Sequence, residues 1–175
     1  MARKLHIGGK VRVDGWEVLN AIDGPAVDHI GNANDLRMFE NATFEQLYAS
    51  HILEHLDYHN EVMRALLEWR RVLKPGGKLC VSVPDLDELA RLFLDRSRLT
   101  LRDRFEVMRM IFGGHMDKYD YHLVGLNGEL LADLLEKSGF SHVCKVNDFG
   151  LFQDSSVVLF KGVAISVNMI CEKPA

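Results

Sequence analysis

The stretch Trp69-Arg70-Arg71-Val72-Leu73-Lys74-Pro75-Gly76-Gly77-Lys78-Leu79-Cys80-Val81-Ser82-Val83-Pro84 holds the end of one element, a turn, and a whole second element. Upstream of it, Leu56, Val62, Met63, Leu66, Leu67, Trp69 and Leu73 recur at intervals of three and four, the helical period. Pro75 cannot continue a helix, and Gly76-Gly77 admits a left-handed turn. The spacing therefore predicts a helix over 55–73 that stops at Lys74-Pro75-Gly76-Gly77. Residues 78–84 follow as an apolar, partly β-branched run with Pro at its exit, a strand.

Outward from this helix–turn–strand unit the alternation repeats. Leu5-His6-Ile7, stopped by Gly8-Gly9, is a first strand; residues 16–21, 27–30 and 45–50 are three more. Helices are expected over 85–94, with Asp85 as N-cap and Glu88 at capping-box spacing, over 101–112, ending in Gly113-Gly114, and over 129–137, capped by Asn127. Met108, Met110 and Phe112 share a helical face with Phe105 and read as core. Strands over 142–146 and 163–171 complete the list. The fold class is α/β: a Rossmann-like three-layer sandwich, mostly parallel and covered on both faces, in one domain over 1–175. In such sheets ligands bind beyond the carboxyl ends of the strands, which directs attention to the loops after Ile7, Ala21, Ile30, Ser50 and Val83. Only residues 9–14 separate the first two strands, too few for a helical crossover. Extended, they span ~20 Å, so the first βα unit is abbreviated, its helix missing, and the pocket beside it more open.

The chain has 175 residues, 47% hydrophobic and 26% charged, with 21 Lys+Arg against 25 Asp+Glu and a net charge of −4. No clustered basic footprint exists for nucleic acid. The apolar runs fall short of the ~18 residues a membrane span needs. The opening Met1 to His6 is basic, with no apolar signal core behind it. Cys80, Cys144 and Cys171 are odd in number and far apart, which fits a reducing, cytoplasmic setting rather than a disulfide framework.

Tyr48-Ala49-Ser50-His51-Ile52-Leu53-Glu54-His55-Leu56, then Arg71-Val72-Leu73-Lys74-Pro75-Gly76-Gly77 and Val81-Ser82-Val83-Pro84-Asp85, resembles the central part of class I S-adenosylmethionine-dependent methyltransferases. More narrowly, it is similar to small methyltransferases of the type 11 kind, often associated with sugar and glycan pathways. The opening Leu5 to Gly9 with Gly15-Trp16, and Asp120-Tyr121-His122 leading into 130–140, fit the same pattern. The resemblance implies transfer of a methyl from S-adenosylmethionine to a small-molecule acceptor such as a sugar hydroxyl. It places the cofactor at Gly8, Gly9, Asn20, Asn32, Ala33, Ser50 and His51. Lys10 stands where the family has its second glycine, and its ammonium is assigned to the cofactor carboxylate. Asn20, or Asp23 nearby, stands for the acid ending the second strand, and Asn32-Ala33 for an Asp-Ala. These departures allow an alternative: a non-catalytic methyltransferase fold acting as a binding or complex partner.

Two polar clusters remain. His51-Ile52-Leu53-Glu54-His55 also fits His-x-x-Glu-His, an inverted zinc-peptidase spacing. A strand-to-helix corner at His51 should disperse those side chains, so no metal is expected there, and Glu54 is read as an acid at a helix N-terminus. His59 extends the stripe as a solvated residue. His115 to His122, behind Gly113-Gly114, reads as a lid. His122 with Asp120 is the first choice for a general base, and His51 faces the donated methyl.

Overall fold

The computed structural model describes residues 2–175; Met1 of the basic opening lies outside them. Strands β1 (Lys4–Ile7), β2 (Glu17–Asn20), β3 (His29–Ile30), β4 (Phe44–Ser50), β5 (Leu73–Pro84), β6 (Ser141–Val146) and β9 (Ser166–Glu172) form one sheet, and β7 (Leu159–Phe160) pairs with β8 (Val163–Ala164) in a separate hairpin. The sheet order is β3-β2-β1-β4-β5-β9-β6. The first five strands pair in parallel, and β9 runs antiparallel to both neighbours. The helices are α1 (Glu61–Val72), α2 (Leu86–Leu94), α3 (Leu101–Phe112) and α4 (Gly128–Lys137). Among the described residues no helix is long and apolar enough to cross a membrane.

Alternation along the central strands assigns the faces. Leu5, Ile7, Leu47, Ala49, Leu79, Val81 and Val83 pack with Leu66 and Trp69 of α1 and Leu131 and Leu135 of α4. Each such fully buried aliphatic side chain contributes roughly 1.5–3 kcal/mol. Trp69 also donates its indole N–H to the Ala33 carbonyl at 2.8 Å, tying α1 to the loop after β3.

The other face is covered differently from expectation. The linkers 8–16, 21–28 and 31–43 carry no helix, so the missing first helix is joined by two further absences. Trp16 and Val13, with Phe149, Leu151 and Phe152 of a C-terminal loop, cover Tyr48, Cys80 and Ile170 instead. The third layer is thus a strap of aromatic residues. Helices α2 and α3 pack on each other around Leu89, Leu92, Val107 and Ile165, and α2 begins directly behind the carboxyl end of β5.

Several element boundaries differ from the sequence reading. The helix expected from residue 55 begins at Glu61, because Leu56 is extended, Asp57 Oδ1 accepts from His59 N–H at 2.8 Å, and Glu61 Oε2 accepts from Asp57 N–H at 3.0 Å. The Lys74 to Gly77 turn is absorbed into β5, held by Gly76 N–H to the Lys173 carbonyl and Lys173 N–H to the Gly77 carbonyl at 2.8 and 2.9 Å. The run 163–171 splits at Ile165, which turns into the α2/α3 core. Asp85 caps α2 through Asp87 N–H, but Glu88 pairs with Arg91 and forms no capping box; that motif appears at Thr100 and Asp103 of α3. Phe105 and Phe112 are exposed, since α3 turns Val107, Met110 and Ile111 inward.

Candidate functional site

The parallel register brings the ends of β1, β2, β3 and β4 to one edge of the sheet: Ile7 pairs with Leu19 and Ala49, and Asn20 with Ile30. Gly8 leaves β1 at φ +78°, and a side chain there would meet Ile52, whose Cδ1 lies 2.0 Å from the ideal Cβ position. The first glycine turn and the exit of β4 are therefore in direct contact. Gly9 lies flat on the His6 ring, with 2.8 Å between its ideal Cβ position and His6 Cγ.

Within that edge the anticipated residues divide. Asn20 Nδ2 donates to the Gly9 carbonyl at 2.9 Å and its Oδ1 accepts from Ile22 N–H at 2.9 Å, so its amide holds the turns together. Ala33 packs on the core and offers its carbonyl to Trp69. The Ser50 hydroxyl donates to Asp154 Oδ1 at 3.2 Å, on the strap side. Lys10 and Asn32 are exposed, and Lys10 is near enough to His55 for its charge to help lower that imidazole's pKa after the larger effect of burial.

His51 is the corner residue, as expected. Its φ is +55°, in the left-handed region that non-glycine residues rarely enter, and its N–H donates to the Ser82 carbonyl at 2.9 Å. The chain then makes a single 3-10 turn, Leu53–His55. This turn gathers the polar side chains that the corner was expected to disperse. Ligand atoms of Glu54, His55 and His122 all lie within 4.8 Å of one another, and His51 Nδ1 is 3.4 Å from Glu54 Oε1. The segment after the loop is pinned to the turn, because Leu123 and Val124 N–H both donate to the Glu54 carbonyl, at 2.7 and 3.3 Å.

Tautomers follow from the partners. The Ser166 hydroxyl donates to the Ser155 carbonyl at 2.9 Å, so it accepts from His51 Nε2–H at 2.8 Å, which leaves His51 Nδ1 with its lone pair toward Glu54. His55 Nδ1–H donates to the Tyr121 carbonyl at 3.1 Å, which leaves Nε2 bare. Glu54 is 1% exposed, and neither carboxylate oxygen has a hydrogen-bond partner. Burial pushes its pKa up to about 8 and that of His51 down to about 4, the neighbouring His122 adding to the latter. Burial also lowers His122, with His55 contributing. Glu54 is thus no helix-capping acid but a buried, uncompensated carboxyl.

A cavity of about 160 Å³ opens beside this cluster, lined by His51, His122, Pro84, Leu89, Met110 and Ile165 among others. A larger hollow lies at the opposite ends of the strands, around Lys4, Lys74 and Gly77, but it is an open surface groove away from the strand exits. Asp120 makes no hydrogen bond to His122, but its charge pulls that imidazole's pKa up against the larger effect of burial. Its carboxylate accepts from Met116 N–H at 3.1 Å, and His115 N–H meets its carbonyl at 3.0 Å, so Asp120 closes the 113–120 loop on itself. The His115 ring stacks on Tyr121 at 4.1 Å within that loop. His59 is exposed.

Asp154 is the residue that sequence reasoning missed. Burial alone would raise its pKa, yet hydrogen bonds from Ser156, Tyr48 and Ser50 hold it low. It receives the Tyr48 hydroxyl at 2.9 Å and Ser156 N–H at 2.9 Å. It lies 104 residues from Ser50 along the chain, and its local Asp-Ser-Ser sequence signals a turn and nothing more.

Residues 17–81 match the family model described as methyltransferase domain. No curated protein sequence matches the chain. Among solved structures, the chain is similar to the CurJ carbon methyltransferase (TM-score 0.61, 14% identity, covering 99% of this chain and 49% of that one). It is similar to a SAM-dependent methyltransferase from Thermotoga maritima (0.59, 17%, 99% and 83%). It is also similar to Haemonchus contortus phosphoethanolamine N-methyltransferase 2, solved in complex with S-adenosyl-L-methionine (0.57, 14%, 99% and 49%). The chain spans about half the length of the first and last of these, and at such identities the likeness establishes the fold.

Proposed function

Because the chain has the class I methyltransferase fold and matches the methyltransferase-domain family over residues 17–81, we propose that it transfers a methyl group from S-adenosylmethionine to a hydroxyl of a small acceptor such as a sugar. The observation that carries this reading is the cavity of about 160 Å³ at the strand exits, with imidazoles of His51 and His122 on its wall and apolar side chains around them. The unpaired cysteines fit a cytoplasmic setting.

The chemistry of the donor set suits the cofactor. Gly8 gives a tight turn, and Lys10 and Asn32 present a free ammonium and a free amide on the same edge. These groups would hold the carboxylate and the nucleoside, while Asn20 and Ser50 shape the edge from within. When bound, the cofactor would supply a sulfonium methyl for transfer to the acceptor oxygen. The imidazoles of His51 and His122 on the cavity wall are the groups placed to take the hydroxyl proton. The Pro84, Leu89, Met110 and Ile165 walls keep water from the reacting atoms.

Calorimetric titration with S-adenosylmethionine and S-adenosylhomocysteine tests the first half. One site per chain is expected, weakened by about a kcal/mol or more in Lys10→Ala, the loss of a charge-assisted hydrogen bond. For the second half, S-adenosylhomocysteine release is followed over a panel of small hydroxyl acceptors. His51→Ala should lower it roughly 10²–10⁴-fold. Absence of cofactor binding in the folded chain would favour the second reading, a non-catalytic partner protein, which Asn20's inward engagement already recommends.

A further inference from the structure

We propose that Glu54, His55 and His122 form a binding site for a divalent transition-metal ion of the zinc class, beside the acceptor cavity.

Three side chains from two separate segments bring one carboxylate oxygen and two imidazole nitrogens within 4.8 Å of one another. Ligands bonded at about 2.0–2.2 Å stand at most about 4.4 Å apart, so from separations of up to 4.8 Å the side chains need only close in slightly to grip one ion. Two nitrogens and one oxygen suit zinc, and three protein ligands leave a further position open, the arrangement of sites in which the metal acts on a bound molecule.

A second observation is independent of the count. Glu54 is 1% exposed, its two oxygens lack any hydrogen-bond donor, and its side chain points into the cluster. A buried carboxyl without a partner is costly. The neighbouring His51 Nδ1, at 3.4 Å, brings a lone pair and not a donor, because its Nε2–H is held by Ser166. His55 likewise keeps its Nε2 lone pair because Nδ1–H is fixed on the Tyr121 carbonyl. Such outer hydrogen bonds orient metal-bound imidazoles and set their tautomers. A cation among them would satisfy the Glu54 carboxylate and the His55 lone pair together. The scaffold is also preset: the Glu54 carbonyl accepts Leu123 and Val124 N–H, so the 3-10 turn and the segment carrying His122 cannot drift apart. One of the three ligands, His122, also lines the cavity. This inference deepens the proposed function and rests on it only for the identity of what enters there: an acceptor hydroxyl, its oxygen polarised by the ion.

The test uses the full chain made without a histidine tag, stripped with chelator, and titrated with Zn²⁺. One equivalent should bind. Glu54→Gln and His122→Ala should each weaken binding by a factor on the order of a hundred, while His142→Ala, on an exposed strand position, should not. The cobalt-substituted wild type gives a reading free of any folding loss: intense visible bands of a low-coordinate nitrogen–oxygen site are expected. A spectrum unchanged from aqueous cobalt, or zinc affinity equal in wild type and in folded variants, would overturn the site. S-Adenosylhomocysteine titration of the stripped chain separates the two ideas. Cofactor binding without metal binding defeats this site alone, and metal binding without cofactor binding defeats the methyltransferase reading alone.

Discussion

His6 shows at residue scale how the second face of the sheet constrains the chain. Its ring is wedged between Tyr48, edge-on at 5.0 Å, and Phe152 at 4.3 Å, and Nδ1 is buried without a partner. Gly9 lies against it because a methyl there would collide with the ring. Burial drives the His6 pKa down to about 4, against a smaller opposing pull from Asp154. In the unfolded chain the imidazole titrates near 6.5, so between those values the unfolded state binds more protons. Stability from this group is complete above pH 6.5 and is lost as pH falls toward 4. The loss reaches at most about 3 kcal/mol. His6→Phe keeps an aromatic ring in place and removes the proton. Urea unfolding at pH 7 and pH 4.5 should show a smaller acid loss in the variant than in wild type; equal losses would place the acid sensitivity elsewhere.

At the scale of elements, the strap takes over the work of the absent helices. Asp154 caps the 3-10 turn Ser155–Val157 and receives hydroxyls of Tyr48 and Ser50 from β4. Asn168 of β9 donates to the carbonyls of Asn147 and Ser156 at 3.0 and 2.9 Å, closing the strap at its other end. Asp154→Ala removes a cap and leaves Tyr48 with Ser156 alone, a destabilisation of roughly 1–3 kcal/mol. Limited proteolysis should then cut near 147–157 in the variant first; unchanged cleavage would mean the aromatic packing alone holds the strap. The helices and strands were legible from the sequence because their signals are local: period, caps and the Pro75-Gly76-Gly77 stop. The strap was not, since its partners are sheet residues about a hundred positions away, and Phe149, Leu151 and Phe152 follow no regular period. The late start of α1 was missed for a related reason: Asp57 and Glu61 form a local turn whose hydrogen bonds outweigh the apolar spacing at Leu56.

For the molecule as a whole, the strand order placed Gly8, Asn20, Asn32 and His51 on one edge, and this much was readable from the alternation of elements. The convergence of Glu54 and His55 with His122 was not, because it depends on a left-handed His51 and on two backbone hydrogen bonds at Glu54. The same architecture divides the molecule by stability. Strands β4, β5 and β9 are central, paired on both sides, and backed by α1 and α4. β2 and β3 lie at one edge, β3 only two residues long, with no helix in any linker from residue 8 to residue 43. With fewer strand partners and no helix in its linkers, that edge should open before the centre does. In native-state hydrogen exchange, amides of Val18, Leu19 and Ile30 should exchange faster than those of Ala49, Val81 and Met169. The proposed cofactor groups, Gly8, Lys10 and Asn32, sit on that opening half. A ligand binding only the closed form slows opening in proportion to 1 + [L]/Kd, so saturating S-adenosylhomocysteine should protect β1 to β3 and leave β9 little changed. Uniform protection across the sheet would mean that the edge does not open separately, and protection confined to β9 would place the ligand away from the glycine turn.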